Sequence, residues 1–565
     1  MTTVVRSPPT VLQFFGNNGL PLIGGTLLTQ VGGVNTATYQ DAAGTIPLPN
    51  PIPLNSRGEI SNASGVSTEL WLISGTVYTF TLYDALGNQV GQYPNISGTI
   101  DATTLAAPTG SGLVGFQQSG TGAVARTVLS KERDIIHIED YNAKFDGFTD
   151  DTGAWRNALA AANGRTLRLP GGVGLTSIVS ASLTLPRSIR IVGETRRGVL
   201  DAPNTIGSGI LSAFAGPVFT ASPGSLTSYD VLLEGFTITG NNGLYGAGNG
   251  ISLTNIANAT LRNLVVSAFG TNNIYVDATS NHVYIRDVYA ATAINANFRI
   301  DGANCSLNKA VSDGGAYSLQ IGNTAAMYVS VSDCHFEGAT TAGIAVSGGD
   351  NRIENNQIFP GSGADGISVI AGPSNQSAVI IVGNSVLGAN TNLGTGIKIA
   401  SPIYEYKISA NKVVGFATAA SVNDGFACIT GNNLNGQTTG LSFTGGSFWA
   451  VVVGNMIAGP TNSLLHNSGN TAMYLGNRFD NGAGSYKAPT ISSGNPIIIG
   501  QDGGNIVLNP TGNDILWGKA LVGLGGGAAP TLGTIGGSGP TTATQNSWMR
   551  VVDSTGNAFW TPVWK

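Results

Sequence analysis

Residues 408–413 read ISANKV, and the phrase returns as ITGNNL at 429–434, VVGNMI at 452–457 and YLGNRF at 474–479. Toward the N-terminus it recurs as IVGNSV from Ile381, IENNQI from Ile353, VSDCHF from Val331 and LNKAVS from Leu307, then as IRDVYA from Ile285, LRNLVV from Leu261 and LEGFTI from Leu233. The pattern is apolar, any residue, small or Asn/Asp, a fourth residue, any residue, apolar. Successive copies start 21 to 28 residues apart. A second phrase precedes many copies: GISL from Gly250, GIAV from Gly343, GISV from Gly366, GIKI from Gly396 and GLSF from Gly440. Each period therefore holds at least two short strands whose alternation buries one face and wets the other. Coils of ~22 residues whose strands stack on the next coil make a parallel β-helix. No 3.6-residue pattern persists within the period, which excludes helical repeats, and the fixed spacing of leucine-rich repeats is absent.

The fourth position holds Asn356, Asn384, Asn411, Asn432, Asn455 and Asn477 in six successive copies. Asn tolerates a left-handed backbone, and its amide can bond the next coil, so an internal Asn ladder is predicted. The alternative is a row of surface turn residues. Earlier copies place Phe236, Leu264, Val288, Ala310 and Cys334 there, so an apolar core is expected in those coils.

Only 10% of the 565 residues are charged and the net charge is −5, so no basic excess argues for nucleic acid. Hydrophobic residues reach 42%, too many for a disordered chain despite 81 glycines. Cys305, Cys334 and Cys428 show no disulfide or zinc spacing and are expected to be reduced and buried. MTTVVRSPPTVLQFF has no apolar stretch behind a basic start, and no run of about 18 apolar residues exists. Neither a signal peptide nor a membrane insertion is expected, and the chain is read as made in a cytoplasm. No cofactor or metal is called for.

Residues 139–170, EDYNAKFDGFTDDTGAWRNALAAANGRTLRLP, place Thr149 or Asp150 as N-cap of an amphipathic helix near 150–163, with Trp155 and Leu159 on one face. This segment resembles the opening of the pectate-lyase-like β-helix family of phage spikes and depolymerases. Asp140, Ala143, Asp146, Gly147, Asp150, Asp151 and Thr152 match its motif; Tyr141, Asn142 and Gly153-Ala154-Trp155 depart from it. The aspartates are read as structural, capping the first coil and hiding its open edge. The resemblance implies an all-β chain with a right-handed parallel β-helix over 131–485.

Residues 11–93 read as short strands joined by Asn-Gly and Gly-Gly turns. They resemble the N-terminal virion-anchoring domain of podovirus-type tailspikes and tail fibres, on Phe15, Gly19, Gly25, Asp41, Pro51, Gly58, Glu59, Gly75 and Tyr78. That implies an anchoring β domain at 1–95, docked to the phage tail or baseplate. Residues 96–130, rich in Gly, Thr, Ser and Ala, read as a linker or stalk. From 486 to 565 the repeat is gone, and Trp548, Phe559, Trp560 and Trp564 crowd the ending. This ending resembles phage-fibre tips, which implies a homotrimer with inter-chain burial of these rings; a self-contained cap is the alternative.

No Walker loop, zinc motif or GxSxG elbow is present, and His137, His282, His335 and His466 are scattered, so carboxylates are the remaining route to chemistry. Asp313 lies six residues after Leu307 and Glu337 six after Val331, one level on adjacent coils. Two carboxylates about 4.8 Å apart repel. One protonated acid beside one ionised base is what glycoside hydrolysis needs, and about 5–5.5 Å suits a retaining enzyme. Asp277 and Asp301 form a second pair by the same logic, beside Tyr275 and Arg299. Tyr275, Tyr284 and Tyr328 alternate with buried positions and are expected to face outward, where rings can stack on sugars. Arg286, Arg299 and Lys398 are candidates to meet an acidic glycan, and Asp333, Glu354 and Asp365 are reserve acids. The bland reading of each acid pair is solvated turn residues.

The resemblance implies a virion-tail protein that binds, and depolymerises, a host capsule or O-antigen, with a hydrolase favoured over a lyase. Two alternatives stand: a non-enzymatic receptor-binding fibre of the same architecture, and a free bacterial lyase. The missing signal and the anchoring-type start argue against the lyase.

Overall fold

The computed structural model describes residues 4–6, 11–98, 105–172, 174–194, 208–225, 227–240, 248–322, 326–370, 378–400, 405–423, 425–445, 448–466, 471–480, 490–491, 547–552 and 558–563. Its dominant feature is a parallel β-solenoid. Fourteen strands stack in one sheet from Ile135–His137 to Thr471–Leu475. Two further parallel stacks complete each coil: short strands such as Val311–Asp313 and His335–Glu337, and mostly longer ones such as Asn272–Val276 and Ala296–Ile300.

The six-residue phrase maps onto a corner. Its first residue belongs to the first stack and points inward; Leu261, Ile285, Leu307, Val331, Ile353, Ile381 and Ile408 are all buried. The third residue turns the chain, and its φ is positive in all eleven copies, from +51° at Lys309 to +75° at Gly235. That geometry explains why Gly, Asn or Asp fills most of these places. The left-handed residue is therefore the third and not the asparagine at the fourth, as the turn argument had it. The fourth asparagine points inward for its amide.

The ladder forms as expected. The Asn411 amide nitrogen donates to the Ile381 carbonyl at 2.8 Å and to Asn432 Oδ1 at 3.0 Å, while Asn411 Oδ1 accepts from the Asn384 backbone N–H at 2.9 Å. The same bonds repeat from Asn356 to Asn477. Asn356, Asn384, Asn411, Asn432 and Asn455 are buried. Cys334 sits at the junction with the apolar coils, its backbone N–H donating to Asn356 Oδ1 at 2.9 Å. Below it, Phe236, Leu264, Val288 and Ala310 fill the level with apolar atoms at 0% exposure.

The glycine of the second phrase is fixed by crowding. A Cβ on Gly366, Gly396 or Gly440 would sit 2.3, 2.1 or 2.6 Å from a methyl of Val386, Val413 or Ile457, the inward sixth residues of the phrase. Gly396→Ala is expected to lower the thermal midpoint by several degrees, because backbone carbonyl and core methyl both obstruct the new atom. Gly431→Ala, at φ +62° with open space around it, should cost only about 1 kcal/mol. Melting curves in which the two variants match would refute this crowding account.

The helix Thr152–Ala161 closes the first coil with Trp155, Ala158 and Leu159 buried. Asp150 binds the Thr152 amide at 3.0 Å, and Asp151, at the N-cap position, instead accepts from the Lys144 and Phe145 amides and from Ser177 Oγ. Ser177 Oγ in turn receives the Trp155 indole N–H at 2.9 Å. Amide and hydroxyl hydrogen bonds from Thr149, with the Phe148 amide, hold the Asp146 carboxyl down at about 2. These aspartates are occupied by the fold, in line with their structural reading.

Residues 11–98 have a core of their own, around Leu27, Ile52, Ile60, Leu72 and Tyr78, under strands Thr26–Val31, Tyr78–Tyr83 and Gln89–Ile96. Several residues behind the anchoring-domain resemblance shape turns here; a Cβ on Gly58 would lie 2.7 Å from the Phe14 carbonyl oxygen. The expected linker is more ordered than its composition suggests. Gly115–Phe116 pairs with Arg126–Thr127, the helix Val128–Glu132 follows, and the Lys131 ammonium lies 4.9 Å over the Phe116 ring.

The chain divides into two compact units, Met1–Asn495 and Pro496–Lys565. In the second, Ser547–Val552 pairs antiparallel with Ala558–Val563. The expected burial of Trp548, Phe559, Trp560 and Trp564 falls outside the described side chains. No helix among the described residues is long and apolar enough to cross a membrane. Cys305 and Cys334 are buried thiols, burial pushing Cys305 up to about 11; Cys428 departs from expectation and is only half-buried.

Candidate functional site

On the second stack the sixth residue of each phrase points inward, so the fifth and seventh point out. Ala290, Ser312, Phe336 and Ile358 are buried, and between them two outer columns run along the solenoid. One carries Tyr289, Val311, His335 and Gln357; the other carries Ala291, Asp313, Glu337 and Phe359. Asp313 and Glu337 are direct register partners on neighbouring strands, as the spacing predicted.

Their surroundings form one cluster. His335 Nε2 lies 3.2 Å from Glu337 Oε2, its Nδ1 lies 3.3 Å from Gln357 Oε1, and its ring stands 5.2 Å from that of Phe359. The Tyr289 hydroxyl hydrogen-bonds the Asp313 carboxylate. Burial first, then the charges of Asp313 and Glu337 and that bond, push the phenol up. The Glu337 side chain is 46% exposed, so its carboxylate is open to a ligand.

Asp277 and Asp301 are arranged differently. They follow the third-stack partners Val276 and Ile300, beside the register pair Tyr275 and Arg299. Asp301 is buried at 3%. Its Oδ2 lies 3.0 Å from Arg299 Nε and its Oδ1 accepts the Gly322 amide at 3.0 Å, so both oxygens are engaged. Burial pushes the Asp301 carboxyl up, opposed by Arg299 and reinforced by Asp277. For Asp277 burial raises, but the Thr279 hydroxyl and amide and the Tyr275 hydroxyl outweigh it and the net shift is down. Burial, then the Asp301 and Asp277 charges, push Tyr275 up to about 12. The Arg299 guanidinium sits 5.7 Å from the Tyr275 ring.

A sign follows for Arg299→Gln. An acid whose folded pKa is raised binds protons more readily when folded, so its contribution to stability falls as pH rises toward that raised value. Without the cation the Asp301 carboxyl rises further. The Tm deficit of Arg299→Gln should therefore be larger at pH 8 than at pH 5, and equal deficits would refute the buried-pair account.

The remaining expected residues lie apart from both pairs. Tyr284 and Arg286 face out from the first stack, and Arg286 Nε lies 3.0 Å from Asp287. Tyr328 is exposed in a turn at φ +59°. Lys398 pairs with Asp365 at 3.0 Å, and Glu354 with Arg352. Asp333 accepts from the Asn308 amide at 3.2 Å. Arg286, Arg299 and Lys398 thus each hold a carboxylate of their own chain. Sequence reasoning missed Tyr289, His335, Gln357 and Phe359. The signal was present in the repeat: the fifth position shares a face with the seventh, so Tyr289, His335 and Gln357 flank the acid column.

No protein-family model matches the chain, and no curated protein matches it. Among solved structures it is similar to tailspike protein 3 of bacteriophage CBA120, at 15% identity and TM-score 0.48, covering 87% of this chain and 89% of that one. It is similar to the A-module of the mannuronan C-5 epimerase AlgE4 of Azotobacter vinelandii, at 15% identity and TM-score 0.43, covering 61% and 96%. A double mutant of the tailspike of E. coli bacteriophage HK620, in complex with a pentasaccharide, gives 12% identity and TM-score 0.40, covering 66% and 84%. These likenesses concern coil architecture and assign no residue a role.

Proposed function

We propose that the chain is a phage tailspike that binds a host surface polysaccharide, capsule or O-antigen, and cleaves it at the Asp313/Glu337 pair. The observation that carries this reading is the register match of two carboxylates on an open solenoid flank, with a histidine, a phenol and an aromatic ring around them. Neighbouring strands about 4.8 Å apart leave the pair near the separation of a retaining glycoside hydrolase. Asp313, steadied by the Tyr289 hydroxyl, takes the nucleophile's place. Glu337 takes the acid's, with His335 in contact to return its proton. Phe359 offers a face for a sugar ring and Gln357 a hydrogen bond.

The third-stack pair suits chemistry less well, because both Asp301 oxygens are already used by Arg299 and Gly322. Residues 1–95 take the virion-anchoring role implied by their sequence pattern, and the chain works as a homotrimer on the virion tail. The test is to incubate the purified chain with surface polysaccharide of its host and weigh the products. Oligosaccharides that have gained a water establish a hydrolase, and products lacking that water a lyase. Intact polymer with binding retained refutes the enzyme and moves the chain to a receptor-binding fibre.

A further inference from the structure

The packing rule of the second phrase fails at two neighbouring coils, next to Asp313. At Gly250, Gly343, Gly366, Gly396 and Gly440 a Cβ would lie 2.1 to 2.8 Å from a methyl of the sixth residue of the following phrase, Val266, Ile358, Val386, Val413 or Ile457. The register of the flanking residues runs this column from Gly250 through Asn273, Asn297 and Ser318 to Gly343. Where the glycine becomes Asn273 and then Asn297, the sixth residue of the following phrase shrinks to Ala290 and then to Ser312. All four side chains are buried. The exchange roughly conserves core volume, the kind of swap a packed interior tolerates, and puts an amide where a branched methyl stood.

A buried amide is costly unless its hydrogen bonds are made, and those of Asn297 are made. Its amide nitrogen lies 2.8 Å from Ser312 Oγ, 3.1 Å from the Asp313 carbonyl oxygen and 3.0 Å from the Gly314 carbonyl oxygen. Its Oδ1 accepts the Ala293 backbone N–H at 3.1 Å and the Asn273 side-chain amide at 2.7 Å. The amide therefore grips the chain where Asp313 leaves its strand for Gly314 and Gly315, at φ +69° and +84°. Two consecutive glycines make a loose turn, so the carboxylate at its edge takes its place from what lies beneath. Glu337 has no such grip. The residue at the corresponding level, Ser318, is buried with its hydroxyl unpartnered among the described residues. The Glu337 side chain is contacted from outside by His335 instead.

We infer that Asn297 is a positioning residue for Asp313: its buried amide fixes the turn from Asp313 to Gly315, and with it the place of the carboxylate. This rests on the assignment of cleavage to the Asp313/Glu337 pair. The one-sided grip matches the two roles. A nucleophile must be held at a near-attack distance from one carbon, whereas an acid reaches the leaving oxygen through a proton. Asn297 is 0% exposed and touches no sugar, so it acts only through the turn.

The experiment uses the full chain and returns these two positions to the rule of the repeat. Asn297→Gly combined with Ser312→Val recreates the pairing of Gly366 with Val386, so the coil should fold. With host surface polysaccharide as substrate, kcat should fall by at least about tenfold, toward the ~10²-fold that a 1 Å misplacement costs, while KM stays the same. Hydrogen exchange should quicken at the Thr292 and Gly314 amides, which bond the Asp313 and Glu337 carbonyls at 2.9 and 3.0 Å. Gly396→Ala, farther along the solenoid, is the structural control: a lower thermal midpoint with kcat unchanged. Should the double variant misfold, Asn297→Ser takes its place, because Ser318 shows that a serine is accommodated at this level. Unchanged kcat in a folded variant, with Asp313→Asn inactive, overturns the inference and leaves the cleavage assignment standing. A fall in kcat without faster exchange overturns it too, since the turn would not be the route. So does a rise in KM alone, or a kcat that follows the thermal midpoint across the Asn297 and Gly396 variants. Full cleavage by Asp313→Asn, or none by the native chain, removes the cleavage assignment and this inference with it.

Discussion

Asp313→Asn and Glu337→Gln should each slow polysaccharide cleavage by about 10³-fold while leaving binding nearly intact. A positioned general acid or base contributes roughly 10²–10⁴-fold, and 10³-fold corresponds to about 4 kcal/mol of barrier. Both substitutions keep side-chain shape and hydrogen-bonding capacity, so the coils should remain in register. His335→Gln should cost less, about tenfold, because the ring contacts one of the two carboxylates, Glu337, and carries no bond to the sugar itself. The control is Asp277→Asn. Asp277 is held by Thr279 and Tyr275 in a turn of the third stack, so its loss should lower stability modestly and leave the rate alone. Measuring released reducing ends for all four variants separates the assignments. Full activity in both Asp313→Asn and Glu337→Gln, with loss in Asp277→Asn, would transfer the chemistry to the third stack.

What was legible in the sequence, and what was not, divides along one physical line. Register is a repeat property: once the phrase is aligned, the partnership of Asp313 with Glu337 and of Tyr275 with Arg299 follows from strand stacking alone. The ladder is equally legible, since six asparagines at one level cannot all be accidents of turn composition. Ion pairing is not a repeat property. Arg299 with Asp301, and Lys398 with Asp365, depend on how long side chains lean across or along a strand, which spacing does not reveal. The cations expected to meet a glycan were therefore already engaged. The turn between strands is not a repeat property either: Tyr284 and Arg286 lie one strand away in sequence from Tyr275, and that turn places them on another stack. The left-handed third position shows the reverse case. Its Gly, Asn and Asp pattern was on the page, and the turn argument was attached to the neighbouring asparagine instead.

Asn411→Ala should destabilise the solenoid by roughly 3–5 kcal/mol, far more than the same change at Asn477. Asn411 is buried in mid-ladder, and truncation removes the acceptor of the Asn384 backbone N–H and the donor to the Ile381 carbonyl. A buried group left without a partner costs about 1–3 kcal/mol, and the small cavity adds to it. The Asn384 side-chain amide is spared in part, because it also donates to Ile353 and Val382 carbonyls. Asn477 ends the described ladder and is only half-buried, so water can take over its bonds. Asn411→Leu should be no rescue, although Leu264 fills the corresponding level without penalty. Leu264 has Phe236 and Val288 as its neighbours along the solenoid, whereas a leucine at 411 would stand between two amides and leave the Asn384 backbone N–H without its acceptor and the Ile381 carbonyl without that donor. Because a solenoid melts coil by coil when one interface weakens, hydrogen exchange at Ile408 and Ile429 is a sharper readout than a global midpoint. Faster exchange confined to the coils around 411, and little change for Asn477→Ala, is the expected result. Equal effects at the two positions would mean that the ladder's amides add nothing beyond their volume.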